Sequence, residues 1–254
     1  MKIVFIGAGN LATQISKALT NCPETEILQI YSKTESSAKL LAETINTSYT
    51  IDLNNIREDA DLYIFSVKDA VLEDVLNNIK PNKGIWVHTA GSIPMSVFKP
   101  YTDKYGVFYP LQTFSKNRNI DLSDVPFFIE GANPAIEDTL LWLAKQLSKN
   151  VRLLDSDKRK EIHLAAVFVC NFTNHMYAIA ADILDTKGIP FDVLVPLINE
   201  TTAKLSFLHP KDAQTGPAIR YDQNVINKHT DMLPEKYKEL YRLISKSIYK
   251  MYKE

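Results

Sequence analysis

The sequence is poor in cysteine: Cys22 and Cys170 are the only two, and no CxxC pair occurs. A disulfide scaffold or a cysteine-rich metal site needs more thiols, so both are excluded. None of the five histidines is spaced from another as in the HxxxH and HExxH motifs of zinc enzymes. We therefore predict no metal site, and the low cysteine content fits a reducing cytoplasm.

An excess of either charge is also missing. Lysine and arginine total 29, against 30 aspartates and glutamates, whereas nucleic-acid-binding proteins usually carry a clustered basic excess. No stretch approaches the roughly 18 consecutive apolar residues that cross a bilayer. The apolar start Ile3–Ile6 is too short for a signal peptide. The sequence thus predicts a soluble cytoplasmic protein that binds neither nucleic acid nor membranes.

The first half of the chain does contain a regular alternation of apolar and helical segments. We predict strands at Lys2–Ile6, Ile27–Tyr31, Leu62–Val67, Ile85–His88, Val107–Tyr109, Phe127–Ile129 and Val151–Leu154. Helical periodicity falls at Leu11–Leu19, Ser36–Ile45, Ala70–Ile79 and Pro134–Leu147. Uninterrupted apolar strands alternating with helices are typical of a parallel sheet covered on both faces. We predict an α/β fold with a doubly wound Rossmann domain over residues 1–155.

The second half, residues 156–254, is predicted to be an all-helical domain because the strand signals stop there. Its first helix starts at Ser156 or Asp157 and runs to about Lys187, where Gly188 ends it. Three more helices are predicted, at Phe191–Leu208, after Gly216-Pro217 and at Pro234–Lys253.

The clearest local motif is Gly7-Ala8-Gly9-Asn10-Leu11-Ala12, a GxGxxA that follows a predicted strand and opens a helix. The first glycine permits a tight turn, and the second lets the backbone approach a pyrophosphate. The small residue at Ala12 lets the helix and strand pack closely, and the helix N-terminus attracts phosphate charge. The motif in this context predicts a dinucleotide site; the alternative is a tight turn that binds nothing.

The end of the second strand indicates which dinucleotide is bound. An NAD site normally has Asp or Glu there to bind the ribose hydroxyls, but this chain has Ser32, Lys33 and Thr34. A cation flanked by two hydroxyls suits the additional 2′-phosphate of NADP. We therefore predict NADP, although Lys33 could instead be a surface lysine and Glu35 weakens the charge argument.

Two later loops are predicted to line the same cofactor groove. Val67 and Lys68 end one strand, and Thr89 and Gly91 follow another. The carboxyl ends of strands are where ligands bind in open α/β sheets. We expect these loops to enclose the nicotinamide half of the cofactor.

Several motifs make the chain resemble one bacterial family over essentially its whole length. They are Ile3–Leu19, Ser32-Lys33-Thr34, His88-Thr89-Ala90-Gly91-Ser92, Tyr109-Pro110-Leu111-Gln112-Thr113-Phe114-Ser115, His163-Leu164-Ala165-Ala166-Val167-Phe168 with Asn171, and Thr215-Gly216-Pro217-Ala218-Ile219-Arg220-Tyr221-Asp222. They resemble the Rossmann-like NADP oxidoreductases with a helical C-terminal domain of unknown function. Pyrroline-5-carboxylate reductase, ketopantoate reductase and the β-hydroxyacid dehydrogenases are similar at a greater distance.

The resemblance implies a two-domain reductase of the 6-phosphogluconate-dehydrogenase-like type, with its active site between the domains. It does not identify the substrate. Two positions depart from these families. The closest family often has His where this chain has Tyr109, so the resemblance assigns no acid there. Four residues after Lys160 this chain has Leu164, at the position where β-hydroxyacid dehydrogenases have the Asn of a Lys-x-x-x-Asn pair. The mechanism of those dehydrogenases is therefore not carried over.

Three candidate catalytic residues lie on the long helix, around the apolar segment Leu164–Cys170. At about 100° per residue, His163 and Asn174 share one stripe, and Asn171 lies toward its edge. Polar groups on an otherwise buried helix need partners, so these are candidates for a solvated cleft. The alternative is a core histidine and amides that serve packing or a dimer interface.

Arg220 is the fourth candidate. It lies one turn after Thr215-Gly216-Pro217, which opens a helix whose free N–H groups suit an anion. Its guanidinium could clamp a substrate carboxylate, with Asp222 either orienting it or capping the turn. The alternative is a surface salt bridge.

Together these features predict an NADP(H)-dependent oxidoreductase that transfers hydride to or from a small C=O or C=N substrate. The alternative is a sensor or regulatory protein that binds NADP(H) without turnover. The long helix is apolar almost all round, and such a helix must be covered on every side. We therefore predict a homodimer formed through the helical domain.

Overall fold

The computed structural model describes residues 1–253. The chain divides into two compact units, Met1–Val167 and Phe168–Glu254. The first contains the sheet, and the described part of the second is helical. The predicted fold class, a Rossmann-type α/β domain followed by a helical domain, is confirmed. The domain boundary after residue 155 stays a prediction, since by compactness the first turns of the long helix group with the sheet.

One eight-stranded sheet forms the centre of the first unit. Its strands are β1 Lys2–Ile6, β2 Glu26–Tyr31, β3 Ser48–Thr50, β4 Leu62–Phe65, β5 Ile85–His88, β6 Tyr105–Pro110, β7 Phe127–Gly131 and β8 Val151–Leu153. The helices between them are α1 Asn10–Leu19, α2 Glu35–Ile45, α3 Asp69–Asn78 and α4 Pro134–Lys145. The strand order is β3-β2-β1-β4-β5-β6-β7-β8. Each predicted strand and helix of this half is present, with small shifts at the ends.

Two features of the sheet differ from the prediction. β6 and β7 are antiparallel, with Phe108 opposite Ile129. Residues 111–126 between them contain no helix, whereas a parallel pair needs a long crossover connection that is usually helical. β3 was not predicted, because this three-residue strand at the sheet edge has no apolar run to mark it.

Both faces of the sheet are covered by helices, as the doubly wound topology requires. Successive residues of β1 point to opposite faces. Ile3 and Phe5 pack with buried residues of α1, α2 and α4. Val4 and Ile6 pack on the other face with residues of α3 and with Trp86. These two apolar layers hold the carboxyl ends of the strands at one edge of a rigid sheet.

The long helix of the second half is not α-helical throughout. It comprises α5 Ser156–Ala166, a π-helical segment Val167–Phe172 and α6 Thr173–Asp185. Asp155 caps its start by accepting a hydrogen bond from the Lys158 N–H at 2.8 Å. A π segment closes i→i+5 instead of i→i+4 hydrogen bonds. The uniform spacing that placed His163 and Asn174 on one stripe therefore does not hold through it.

The same helical run, Ser156–Asp185, has the length and apolar composition of a membrane-spanning helix. Its most apolar 18 residues have a mean hydropathy of 1.3, and none of them is buried within the chain. The sequence contained no comparable run because polar residues such as Asn171 interrupt the apolar ones. A helix of a soluble protein that a partner covers has this composition too, so the composition alone does not distinguish the two.

The second unit continues with shorter helices. They are α7 Val195–Ala203, α8 Pro210–Ala213, α9 Pro217–Arg220, α10 Gln223–Met232 and α11 Glu235–Lys253. Instead of one helix over Phe191–Leu208, 3-10 turns flank α7 on both sides. α9 is a single turn, because Tyr221 adopts the left-handed conformation (φ 52°) and ends it. α11 packs against α9 and α10.

Candidate active site

The turn between β1 and α1 requires glycine at its first motif position. Gly7 has a φ of +123°, which residues with a side chain rarely adopt. A Cβ added there would lie 2.4 Å from the carbonyl oxygen of Ser66, at the end of β4. Conformation and close approach of the backbone therefore both exclude a side chain at Gly7.

Gly9 leaves open space at the start of α1. An added Cβ would meet only the Ser66 carbonyl oxygen, at 4.0 Å. No side chain caps α1, and its first turn contains no acidic residue, so its free N–H groups form a positive end. The pyrophosphate of a dinucleotide fits here, because the missing side chain lets it approach the backbone.

The remaining motif residues contact other parts of the first unit. Ala12 is fully buried, and Leu11 packs against the same apolar core. Asn10 donates from Nδ2 to the carbonyl oxygen of Phe114 at 2.9 Å. This bond fastens the segment after β6 to the start of α1, and so brings two of the motifs together.

The residues after β2 fit a phosphate group. Lys33 is exposed, and no carboxylate of residues 1–253 lies within 4 Å of its ammonium group. Ser32 Oγ accepts a hydrogen bond from the Thr34 N–H at 3.4 Å. Thr34 is the N-cap residue of α2, and its side chain makes no capping bond. The competing Glu35 instead accepts from the Tyr49 hydroxyl at 3.4 Å.

The two loops predicted to line the groove follow adjacent parallel strands, β4 and β5. Thr89 joins them, because its N–H donates to the Phe65 carbonyl at 3.2 Å and its hydroxyl donates to Ser66 Oγ at 3.3 Å. Val67 is half-buried, and the exposed Lys68 is the N-cap residue of α3. These residues lie at the carboxyl edge, next to the turn that contains Gly7.

Gly91, His163 and Tyr109 meet beside these loops. A Cβ added to Gly91 would lie 2.4 Å from Nδ1 and 2.5 Å from Cγ of His163, so the imidazole lies directly against the Gly91 backbone. Nδ1 is 3.0 Å from the Tyr109 hydroxyl oxygen. We find no partner for Nε2 among residues 1–253, which leaves it as the ring nitrogen available to a ligand.

Tyr109 is the hydrogen-bond partner of His163, a role that the sequence analysis did not assign. Burial raises the pKa of the Tyr109 phenol, and the positive charge of Arg159 opposes this with a smaller effect. The phenol is therefore protonated at neutral pH. It donates to Nδ1 in the tautomer where that nitrogen has no proton, and it accepts from Nδ1–H in every form where it has one.

Arg159, one turn before His163 on α5, was also missed. Its side chain is fully buried, and Nη1 forms an ion pair with Glu130 Oε2 at 2.6 Å. The four-residue spacing from His163 was a usable signal, because residues i and i+4 share a helix face. No local signal in the sequence marks Glu130 as the partner, since it lies on a different strand.

His88, which ends β5, is part of the core. It is 1% exposed, and its ring packs against Phe98 with centroids 5.6 Å apart. Burial first, and then the charge of Arg159, lower the pKa of His88 to about 3. The ring is therefore neutral, and Nδ1 accepts a hydrogen bond from the Ala90 N–H at 3.2 Å.

Three predicted catalytic residues lie in the second unit. Asn171 lies in the π segment, Asn174 lies in the first turn of α6, and both are exposed. Arg220 ends α9 and is also exposed. Asp222 caps α10 by accepting a hydrogen bond from the Val225 N–H at 3.3 Å, which favours the capping alternative. The catalytic roles of Asn171, Asn174 and Arg220 stay predictions.

Comparison with known proteins agrees with this geometry. Residues 2–88 match the family model described as NADP oxidoreductase, coenzyme F420-dependent, and residues 125–248 match a domain of unknown function, DUF2520. A solved structure from Bacteroides fragilis, which is assigned as an NADP oxidoreductase, is 49% identical to this chain. The alignment covers 98% of each chain, with a TM-score of 0.92.

The chain belongs to this NADP oxidoreductase family. The predicted family and its cofactor, NADP, are confirmed.

More distant similarity links this oxidoreductase to pyrroline-5-carboxylate reductases. The enzyme of Staphylococcus haemolyticus is 33% identical over 84 residues, which cover 32% of this chain and 31% of the relative. The match thus spans about a third of that relative. A structure of the Streptococcus pyogenes enzyme is 17% identical, covers 98% of each chain and has a TM-score of 0.68, which is a likeness of fold.

Proposed function

We propose that this oxidoreductase transfers hydride between NADP(H) and a small C=N or C=O substrate, with His163 as the proton donor. The observation that carries the proposal is the Tyr109–His163 pair, which lies on Gly91 at the carboxyl edge of the sheet. That edge is where open α/β sheets bind their ligands. The pyrroline-5-carboxylate reductases support C=N as the first bond to test, because their name denotes the reduction of a cyclic imine.

The cofactor and each site residue have separate roles in this reaction. NADPH, when bound, supplies the hydride that adds to the substrate carbon. Protonated His163 donates the proton on Nε2 to the substrate nitrogen or oxygen and keeps its proton on Nδ1. Tyr109 holds the ring through this step, because its hydroxyl oxygen accepts from Nδ1–H before and after Nε2 gives up its proton. We propose that Asn171 and Asn174 hydrogen-bond the substrate and that Arg220 binds a carboxylate on it.

The proposal is tested by following NADPH oxidation with a panel of small cyclic imines, with and without a carboxylate, and of keto acids. Turnover of any panel member, lost in a His163 variant, supports it. Tight NADPH binding without turnover across the panel favours the sensor alternative. Failure to bind NADPH would overturn both functions.

Lys33→Ala should weaken NADPH binding by about 1–3 kcal/mol and leave NADH binding nearly unchanged, because only NADPH loses a charge-assisted hydrogen bond. A fluorescence titration with each nucleotide measures both affinities. Lys39→Ala is the matched control. Lys39 lies on α2, is exposed like Lys33, and forms an ion pair only with Glu43, at 3.9 Å. Equal affinities for NADPH and NADH in the unaltered protein would contradict the role of Lys33.

We also propose that the oxidoreductase is a homodimer formed through its helical part. Large apolar side chains along the long helix are exposed in the single chain, namely Leu164, Phe168, Val169 and Phe172, which are 50–76% accessible. Monomeric proteins rarely expose large contiguous apolar patches. A second copy covers such a helix symmetrically, and a stable contact of this kind buries more than about 1,000 Å².

Light scattering at micromolar concentration should therefore give twice the chain mass, and Val169→Glu should give a folded monomer. Val169 is 76% exposed, so the charge costs the single chain little. Leu40→Glu, at a position 60% exposed on α2, should remain dimeric. A monomeric unaltered protein contradicts the dimer, and co-sedimentation of such a monomer with lipid vesicles would assign the helix to a membrane.

We propose a cytoplasmic location for the enzyme, because both cysteines are free thiols and free thiols persist in reducing compartments. Fractionation of cells that produce the protein should recover it with the soluble cytoplasmic proteins. Recovery with the membrane fraction would contradict this location.

A further inference from the structure

The ion pair between Arg159 and Glu130 differs from the other ion pairs of residues 1–253. The Arg159 side chain is 0% exposed and that of Glu130 is 15% exposed, whereas every other pair has both partners at least 24% exposed. Burying two charges costs solvation energy, and such a pair is weak evidence for added stability. In some proteins a buried pair of this kind serves to specify geometry instead.

Arg159 and Ser156 make further bonds that join three parts of the first unit. Arg159 Nη2 donates to the Ile93 carbonyl oxygen at 2.5 Å. The Ser156 hydroxyl donates to Glu130 Oε2 at 2.7 Å and its N–H donates to Oε1 at 3.0 Å. The same hydroxyl accepts from the Met95 N–H at 3.0 Å. Through these bonds, Glu130 on β7 holds both the first turn of α5 and the segment after β5.

Ile93 and Arg159, which are joined by one of these bonds, lie close in sequence to Gly91 and His163 respectively. Ile93 is two residues beyond Gly91, and Arg159 is one helical turn before His163 on the same face. The imidazole has no spare room, since its atoms already fill the space of a Cβ at Gly91. A small rotation of α5 or a small shift of the loop therefore changes the distance between His163 and Tyr109.

We propose that Glu130, Arg159 and Ser156 are positioning residues that set His163 against Gly91 and Tyr109. The catalytic meaning of this arrangement rests on the proposed function, but the arrangement itself is open to measurement without a substrate. The positioning residues act through His163 and do not themselves react. Their effect is to fix the hydrogen bond at Nδ1, and with it the direction in which Nε2 points.

The test is NMR of the His163 ring nitrogens in the full-length protein, with signals assigned by their loss in His163→Gln. Tyr109→Phe gives the reference shifts for a ring that lacks its Nδ1 partner. Glu130→Gln and Arg159→Lys should move the His163 shifts toward that reference. Turnover should fall by about tenfold or more, as expected for a misplaced catalytic group, with KM for NADPH unchanged.

Arg57→Lys is the matched control, since Arg57 forms an ion pair with Asp59 at 2.5 Å on the surface. This substitution should leave the His163 shifts unaltered. A lower melting temperature with unchanged His163 shifts in the folded Glu130 and Arg159 variants would overturn the proposal, because that is the result of a purely stabilising pair. If those variants do not fold, the His163 shifts are measured in Ser156→Ala and read in the same way. This variant keeps the ion pair and removes only the hydroxyl that bridges Glu130 and the Met95 N–H.

The two proposals fail separately. If the shifts move as expected but His163→Ala leaves turnover unchanged, the positioning proposal stands and the catalytic role of His163 is wrong. If turnover depends on His163 while its shifts ignore Glu130 and Arg159, the proposed function stands and the positioning proposal is wrong.

Discussion

His163→Ala lowers the turnover number by about 10²–10⁴-fold, the range expected when a general acid is removed, while NADPH affinity changes by no more than a few-fold. The reason is that Nε2 of His163 is free while Nδ1 is held by Tyr109, and that His163 is not part of the glycine turn that binds the dinucleotide. The measurement is the rate of NADPH oxidation with the first active imine or keto acid, together with a fluorescence titration of NADPH.

His209→Ala is the control for this experiment. His209 is exposed at the N-cap of the short helix α8 in the second unit, and its ring bonds only a neighbouring backbone N–H, that of Lys211 at 3.3 Å. Its replacement should leave both turnover and NADPH affinity at the level of the unaltered protein. Full turnover in His163→Ala would reassign His163 to packing against Gly91.

Gly7→Ala destabilises the protein and abolishes NADPH binding. The left-handed conformation alone costs about 1–3 kcal/mol in a residue with a side chain. In addition, the new Cβ would lie 2.4 Å from the Ser66 carbonyl oxygen, so the end of β4 must move. Thermal unfolding and NADPH titration measure the two effects.

Gly9→Ala separates binding from stability in the same turn. Gly9 has a φ of −78°, which alanine adopts freely, and its Cβ would meet nothing closer than 4.0 Å. The melting temperature should therefore change little. NADPH affinity should fall by about tenfold or more, roughly 1.4 kcal/mol, because the methyl group occupies the space that the pyrophosphate needs. Unchanged affinity in Gly9→Ala would place the phosphates elsewhere.

Local sequence patterns were sufficient to predict the strands and helices of the first unit and the cofactor turn. Short apolar runs such as Ile3–Ile6, bounded by turn residues, favour strands buried on both faces, and the motif that begins at Gly7 directly follows this run. These features depend on neighbours within a few residues, so periodicity and turn chemistry are sufficient to predict them. The exposed Lys33, in place of a ribose-binding carboxylate, is a local signal of the same kind.

Which side chains meet depends on how distant segments pack in the folded chain. Tyr109 and His163 are 54 residues apart in the chain, and Glu130 and Arg159 are brought together from a strand and a helix. The antiparallel return of β7 places Glu130 beside the start of α5, and nothing in its own sequence context marks it. The π segment likewise broke the helical spacing from which a shared stripe was predicted. Contacts between distant segments depend on how strands and helices pack, and a periodic pattern within one segment carries no information about that packing.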